Sequence, residues 1–135
     1  MTCDPEIIHR LVQSAIAARR WAYAPYSHYP VGAALLTASG KIYEGVNIEN
    51  AAFPSTICAE RVAVFKAVSE GEREFDAIAV VTANGGTPCG ACRQVLAEFG
   101  LDTLVIIADA QGVIHQQHPL STYLPGAFTP KDLQP

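Results

Sequence analysis

The amino-acid sequence predicts an α/β fold: a three-layer α-β-α sandwich built on a mixed five-stranded sheet. Three observations lead there. Hydrophobic periodicity runs in the order α-β-β-α-β-α-β-β along residues 1–135. The second half holds a strand, a helix and another strand, which in one sheet make a right-handed parallel crossover. The first two strands are joined by the short turn Ala38-Ser39-Gly40 and so pair antiparallel. A sheet with both kinds of neighbour buries its two faces most simply between helices.

Each element has its own signal. Asp4-Pro5-Glu6 reads as an N-cap, a proline at the first helical position and an acid in the first turn. Ile7, Ile8, Leu11, Val12, Ala15, Ala18 and Ala22 follow at helical spacing until Ala24-Pro25, with His9 on the wet side. Val31 to Thr37 is almost continuously apolar, a strand buried on both sides. Lys41 to Ile48 is its hairpin partner, with Ile42, Val46 and Ile48 on one face and Glu44 intruding on that face. A helix starting at Cys58 takes its core face from Val62, Phe65 and Val68 and stops at Gly71. Phe75 to Ala83 is a third strand, and the loop Asn84-Gly85-Gly86-Thr87-Pro88 delivers the chain to Cys89 and a helix ending near Phe99-Gly100. Thr103 to Ala108 turns through Ala110-Gln111-Gly112 into Val113-Ile114-His115. Ser121 is positioned to cap a last helical turn, and the tail from Thr129 carries two prolines and no evident core residue.

At this length, with half its residues hydrophobic and a sixth charged, the chain is expected to form one domain with a packed core. Repeats, low-complexity tracts and linkers are absent from the sequence. A formal net charge of −4 argues against a polynucleotide partner, which calls for a basic stripe, and favours a small one. No apolar run is long enough to span a bilayer, and the N-terminus shows no signal-peptide pattern. With three of its four cysteines in metal-like spacings, the chain is expected in a reducing, cytoplasmic compartment.

Those cysteines carry the chemistry. Cys58-Ala59-Glu60-Arg61 and Pro88-Cys89-Gly90-Ala91-Cys92-Arg93 stand at the starts of two predicted helices. On a first helical turn, Cys89 and Cys92 share a face and can reach one ion, and Cys58 adds a third thiolate. Three protein ligands leave a position open, as catalytic zinc requires, and Glu60 is placed to handle protons beside it. Taken singly, the motifs say less. A Cys-x-x-Cys could be a redox pair, half of a structural zinc site, or small buried hydrophobes. Glu60 could be a solvated helix residue, and Arg61 half of a surface ion pair. Three thiolates around zinc also need compensating charge, which the helix N-termini and Arg61, three residues from Cys58, could provide. Glu60 raises a geometric question, since residues at i and i+2 do not share a helix face. The difficulty eases if Cys58 is the N-cap, with non-helical angles.

In combination these segments resemble the small zinc-dependent cytidine deaminases. The resemblance rests on Tyr26-Ser27, Val31-Gly32-Ala33-Ala34, Asn47-Ile48-Glu49-Asn50-Ala51, the two cysteine motifs, and Leu124-Pro125 with Phe128, in order over nearly the whole chain. The wider group of zinc deaminases carries His-x-Glu followed by Pro-Cys-x-x-Cys, with three cysteines as a variant. The resemblance implies a cytidine deaminase-like sandwich, one Zn²⁺ per subunit on Cys58, Cys89 and Cys92, and Glu60 as the group moving protons between water, the cytosine N3 and the departing ammonia. It implies ribose contacts from Asn47 and Glu49, pyrimidine contacts from the Ala51 backbone, and aromatic positions at Tyr29, Phe53 and Phe128. A homotetramer with active sites at subunit interfaces is likewise implied, with hydrolysis of cytidine and 2′-deoxycytidine as the activity. Tyr29 and Phe53 depart from the family's usual phenylalanine and tyrosine at these positions, one gaining a hydroxyl and the other losing it. Deamination of another aminopyrimidine nucleoside, such as blasticidin S, is the nearest alternative. A structural zinc module closed by Cys3 or a histidine, and a redox Cys89/Cys92 pair, are the alternatives outside this family.

Overall fold

In the computed structural model, which describes residues 3–134, helix α1 (Pro5–Arg19) begins as its sequence dictates. Asp4 is the N-cap, and its side chain accepts the Ile7 N–H at 2.9 Å. Ile8, Leu11, Val12, Ala15 and Ala18 make the buried stripe. The helix ends at Arg19, short of the Ala24-Pro25 stop signal, so Ala22 lies outside it. The backbone there has another use. Tyr23 donates its N–H to the Asn47 carbonyl and accepts from the Glu49 N–H, each at 2.9 Å, tying the chain after α1 to the segment 47–49.

Strands β1 (Gly32–Thr37), β2 (Ile42–Val46), β3 (Phe75–Thr82), β4 (Leu104–Asp109) and β5 (Ile114–Pro119) lie in the order β2-β1-β3-β4-β5. The mixed character follows prediction: β1 is antiparallel to β2 and β3, β3 is parallel to β4, and β4 is antiparallel to β5. β1 is buried along its whole length, and its alternate residues serve two cores. Ala34 and Leu36 join Ala77, Ala79, Val81 and Ile106 beneath α1. Ala33 and Leu35 join Ile78, Val80, Val105 and Ile107 on the other face, beneath helices α2 (Ala59–Ser69) and α3 (Gly90–Ala97). Three layers result.

The structure corrects several sequence expectations, and close packing explains most of them. In β2 the buried face is Tyr43 and Gly45, whereas Ile42 and Val46 are half-buried, and Glu44 is exposed and accepts the Ser14 hydroxyl at 2.6 Å. Ile48 lies beyond the strand, bridged to Tyr23 and Ile57, and is exposed. In α2 the buried face is Ala59, Glu60, Ala63, Val64 and Ala67; Val62 and Val68 are half-buried and Phe65 is exposed. Both shifts have one cause. A Cβ on Gly45 would sit 2.6 Å from the Ala63 amide nitrogen and closer still to the Ala59 carbonyl, so α2 lies on the bare backbone of β2 through its small residues. Gly71 follows the C-cap Glu70 with φ +90°, the left-handed stop its sequence position predicts. Ser121 does not cap. Helix α4 (Leu120–Tyr123) starts after Pro119 and contains it. β5 runs beyond the predicted 113–115 to Pro119, and all six of its residues are exposed, which is why a periodicity signal is lacking there. The tail forms one 3-10 turn, Pro130–Leu133, capped by Thr129, with no buried residue.

Candidate active site

Two helix starts meet at the sheet. Cys58 is the N-cap of α2 (φ −79°, ψ 154°) and Cys89 the N-cap of α3 (φ −67°, ψ 167°), both extended. Neither side chain caps its own helix, so both sulfurs are free to turn outward. Their carbonyls accept the first helical bonds, from Val62 at 3.1 Å and Arg93 at 3.0 Å. Cys92, one turn into α3, is fully buried. The sulfurs of Cys58 and Cys89 are 3.7 Å apart, and those of Cys89 and Cys92 3.5 Å. Two thiolates on a tetrahedral zinc, each about 2.3 Å from it, stand about 3.8 Å apart, so the donor set fits that ion. Among the described residues, these three are the one group of three or more His, Cys, Asp or Glu side chains converging on a single point. Cys3 is buried at the foot of α1 among Ile8 and Leu36, outside this group, and no histidine joins it.

The extended N-cap also answers the Glu60 question. With Cys58 outside the helical spiral, the sulfur and the Glu60 carboxyl both line one cavity of about 450 Å³. Glu60 is 4 % exposed. Burial, reinforced by the neighbouring Cys58 sulfur, pushes its carboxyl up to about 7. Cys58 moves the opposite way, down to about 5, because the Cys92 thiol and the Arg61 guanidinium hydrogen-bond its sulfur. Cys92 is pushed up, by its interaction with the Cys58 sulfur and by burial. Arg61 donates from Nη2 to the Cys58 sulfur at 3.4 Å, and its own affinity for its proton rises in consequence. Its Nε is buried without a protein partner.

The opposite wall comes from the chain after α1 and from the strand-following segment 47–49. Asn47 is buried, its Oδ1 accepting the Val31 N–H and its Nδ2 donating to the Tyr29 carbonyl, both at 2.9 Å. Glu49 accepts from the N–H of Tyr26 at 2.9 Å, from that of Ser27 at 3.1 Å, and from the Ser27 hydroxyl. The Ser27 hydroxyl above all, with the two backbone donors, holds the Glu49 carboxyl below the usual range. His28, directly after Ser27, adopts φ 55° in that turn. Val80 and Thr82 of β3, then Gly86 and Thr87, also line the cavity, with Val31, Thr56 and Ile57.

The structure therefore gathers Cys58, Cys89, Glu60, Asn47, Glu49 and Tyr29 around one cavity, with Cys92 and Arg61 behind it. Ala51, Phe53 and Phe128 do not line it. Ala51 and Phe53 lie in an exposed loop, with Phe53 edge-on to Tyr26 at 6.0 Å. Phe128 is 57 % exposed, and its carbonyl accepts from Gln94 Nε2 at 2.8 Å. Sequence reasoning passed over Thr82, Asn84 and Gly86. Their signal was the small-polar run directly before Pro88-Cys89, which reads as an ordinary loop until the fold closes it over the site.

A family model described as the cytidine and deoxycytidylate deaminase zinc-binding region matches residues 5–108. The chain is similar to a cytidine deaminase of Halalkalibacterium halodurans, 53% identical over 126 residues that cover 91% of this chain and 95% of that one. It is 50% identical over 129 residues to a cytidine deaminase of Sporosarcina psychrophila, covering 93% of this chain and 94% of that one. The crystal structure of cytidine deaminase from Burkholderia pseudomallei matches its fold with a TM-score of 0.84 at 47% identity, over 89% of this chain and 98% of the other.

Proposed function

Given that the chain belongs to the zinc-binding cytidine and deoxycytidylate deaminase family, we propose that it hydrolyses cytidine and 2′-deoxycytidine to uridine and 2′-deoxyuridine with release of ammonia. One observation carries the reading: three sulfurs at zinc spacing converge beside a buried carboxyl at one wall of a cavity of nucleoside size. Cys58, Cys89 and Cys92 would hold one Zn²⁺ per subunit, which supplies Lewis-acid activation of water.

Glu60 does the proton work. The oxygen of water bonds to C4 of the ring, one water proton passes through the Glu60 carboxyl to N3, and the other reaches the amine. The C4–N bond then breaks, its electron pair leaving with ammonia. One carboxylate can serve each transfer because it faces the cavity and is shielded from bulk water. Arg61 offsets the charge of the sulfurs. Asn47 and Glu49 are held rigid by their backbone partners, and each keeps hydrogen-bonding capacity unused: a second amide proton on Asn47, and a remaining acceptor site on Glu49. Those are the donor and acceptor that ribose hydroxyls need. Tyr29 borders the base side of the site, whereas Ala51 and Phe53, in the exposed loop outside this cavity, make no part of its lining.

The reading extends to a single deaminase domain over 1–135, a cytoplasmic setting and a homotetramer with Phe128 entering a neighbour's cavity. Among the described residues no helix is long and apolar enough to cross a membrane. The exposure of Trp21, Phe53, Phe65 and Phe128 supports the assembly, since large exposed rings mark interaction surfaces. The test is the fall in cytidine absorbance on adding purified protein, before and after a chelator, with deoxycytidine and blasticidin S as further substrates. Chelator-sensitive loss with cytidine is expected; a zinc-loaded protein that releases no ammonia from cytidine or deoxycytidine overturns the reading.

A further inference from the structure

Tyr29 does something that the sulfur and carboxylate groups do not: it joins the two walls of the cavity. Its backbone belongs to one wall. Its carbonyl accepts from Asn47 Nδ2 at 2.9 Å, and its N–H donates to the Ser27 hydroxyl at 3.1 Å, which in turn holds Glu49. The tip of its side chain belongs to the other wall. The Tyr29 hydroxyl donates to Asn84 Oδ1 at 2.7 Å across 55 residues of sequence. Asn84 Oδ1 also accepts from the Thr82 hydroxyl at 3.4 Å, and Thr82 Oγ1 accepts the Gly86 N–H at 2.8 Å. Gly86, Thr87 and Cys89 line the cavity just beyond. The fit is mutual, because a Cβ on Gly86 would stand 2.6 Å from the Tyr29 hydroxyl. A Cβ there would push the tip of the ring aside, and glycine leaves it in place.

From this geometry we propose that the Tyr29 hydroxyl is a positioning group, a latch through Asn84 that fixes the distance between the wall carrying Asn47 and Glu49 and the loop leading to Cys89. The inference rests on the deaminase reading above for its kinetic consequence. The wall carrying Asn47 and Glu49 is the one that holds the nucleoside, whereas Glu60, Cys58 and Cys92 rest on helices anchored in the core and Cys89 is pinned through its carbonyl at the start of α3. Loss of the latch therefore acts on KM and spares kcat. A phenylalanine at 29 keeps the ring and removes the latch alone.

The experiment compares zinc-loaded wild type with Tyr29→Phe, Asn84→Ala and the double variant. Each single variant is expected to keep its zinc and melting temperature, and to raise the KM for cytidine about three- to tenfold, the worth of one partly exposed hydrogen bond. The double variant is expected to lose no more than either single one, because both remove the same contact. A Tyr29→Phe KM within 1.5-fold of wild type (roughly the error of such a comparison), or losses that multiply in the double variant, overturns the latch. Hydrogen exchange of the Gly86 amide gives a readout free of turnover. In Tyr29→Phe it should quicken at least about threefold, and an unchanged rate also overturns the latch. If the wild type itself fails to turn over cytidine, the deaminase reading falls while amide exchange still decides the latch.

Discussion

Gly45→Ala is the sharpest probe of how the fold positions the site. The added methyl would lie 2.6 Å from the Ala63 nitrogen, with the Ala59 carbonyl closer still, and both atoms are backbone of α2. Carbon contacts settle near 3.5–4.0 Å, so the helix must retreat by roughly 1 Å. Overpacking of this kind costs about 1–3 kcal/mol. For a chain of this size each kcal/mol lowers the melting temperature by about 3–5 °C, giving a fall of about 3–15 °C. The functional cost is separate. The first turn of α2 carries Cys58 and Glu60, and a displacement of about 1 Å at a reacting centre costs on the order of 10²-fold in rate. Gly32→Ala supplies the comparison. Its methyl would meet Arg19 at 2.9 Å and the Ala15 carbonyl closer still, on the opposite face, where α1 carries none of the sulfurs or Glu60. Calorimetry and kcat per zinc-loaded subunit should show both variants destabilised, with activity lost mainly in Gly45→Ala. Equal kcat losses in the two, or an unshifted Gly45→Ala, would refute the idea that this glycine sets the height of α2 over the sheet.

Other substitutions test the chemistry directly. Glu60→Gln keeps the shape of the buried side chain and removes its proton capacity, so zinc should stay while turnover falls by about 10²–10⁴-fold; activity within tenfold of wild type sinks the proton assignment. Arg61→Ala strips the hydrogen bond from the Cys58 sulfur and should cost about 10–100-fold in zinc affinity or activity. An unaltered zinc affinity with an unaltered pH–rate profile would make Arg61 a bystander. Mixing Glu60→Gln with Phe128→Ala subunits, exchange being verified by mass, should raise activity above both parents, since a site with its own Glu60 can then receive Phe128 from a neighbour. Activity at the parental average after complete exchange would place Phe128 outside the neighbouring site.

Much of this was legible in the sequence, for identifiable reasons. The N-cap Asp4, the stop at Gly71 and the all-apolar run before Thr37 are local signals, and the structure keeps them. The three sulfurs were legible because a Cys-x-x-Cys at a helix start has few geometries, and the extended Cys58 reconciled Glu60 with them. What failed was non-local. Phe65 is the largest apolar residue in its helix, yet it faces out because Gly45 admits only alanine-sized neighbours beneath α2. The end of α1 was overrun because the hydrogen bonds of Tyr23 go to residues 47 and 49, a pairing no window of local sequence contains. Tyr29 was read as a ring beside a base. Its hydroxyl partner lies in a loop that acquires meaning only once β3 sets it across the cavity.

The two N-cap cysteines have a mechanical consequence. Cys58 and Cys89 are 31 residues apart in sequence, and the segment between them contains α2 and β3, the strand at the centre of the sheet. An ion gripped by both sulfurs is therefore a clasp across that segment, closing a loop whose chain entropy is worth about 3.5 kcal/mol. Because each sulfur sits where its helix begins, releasing the ion and fraying the first turn of α2 or α3 become the same motion. Proteolytic resistance in the middle of this chain should then track metal occupancy, with the sheet's central strand the last part to yield while the clasp is shut.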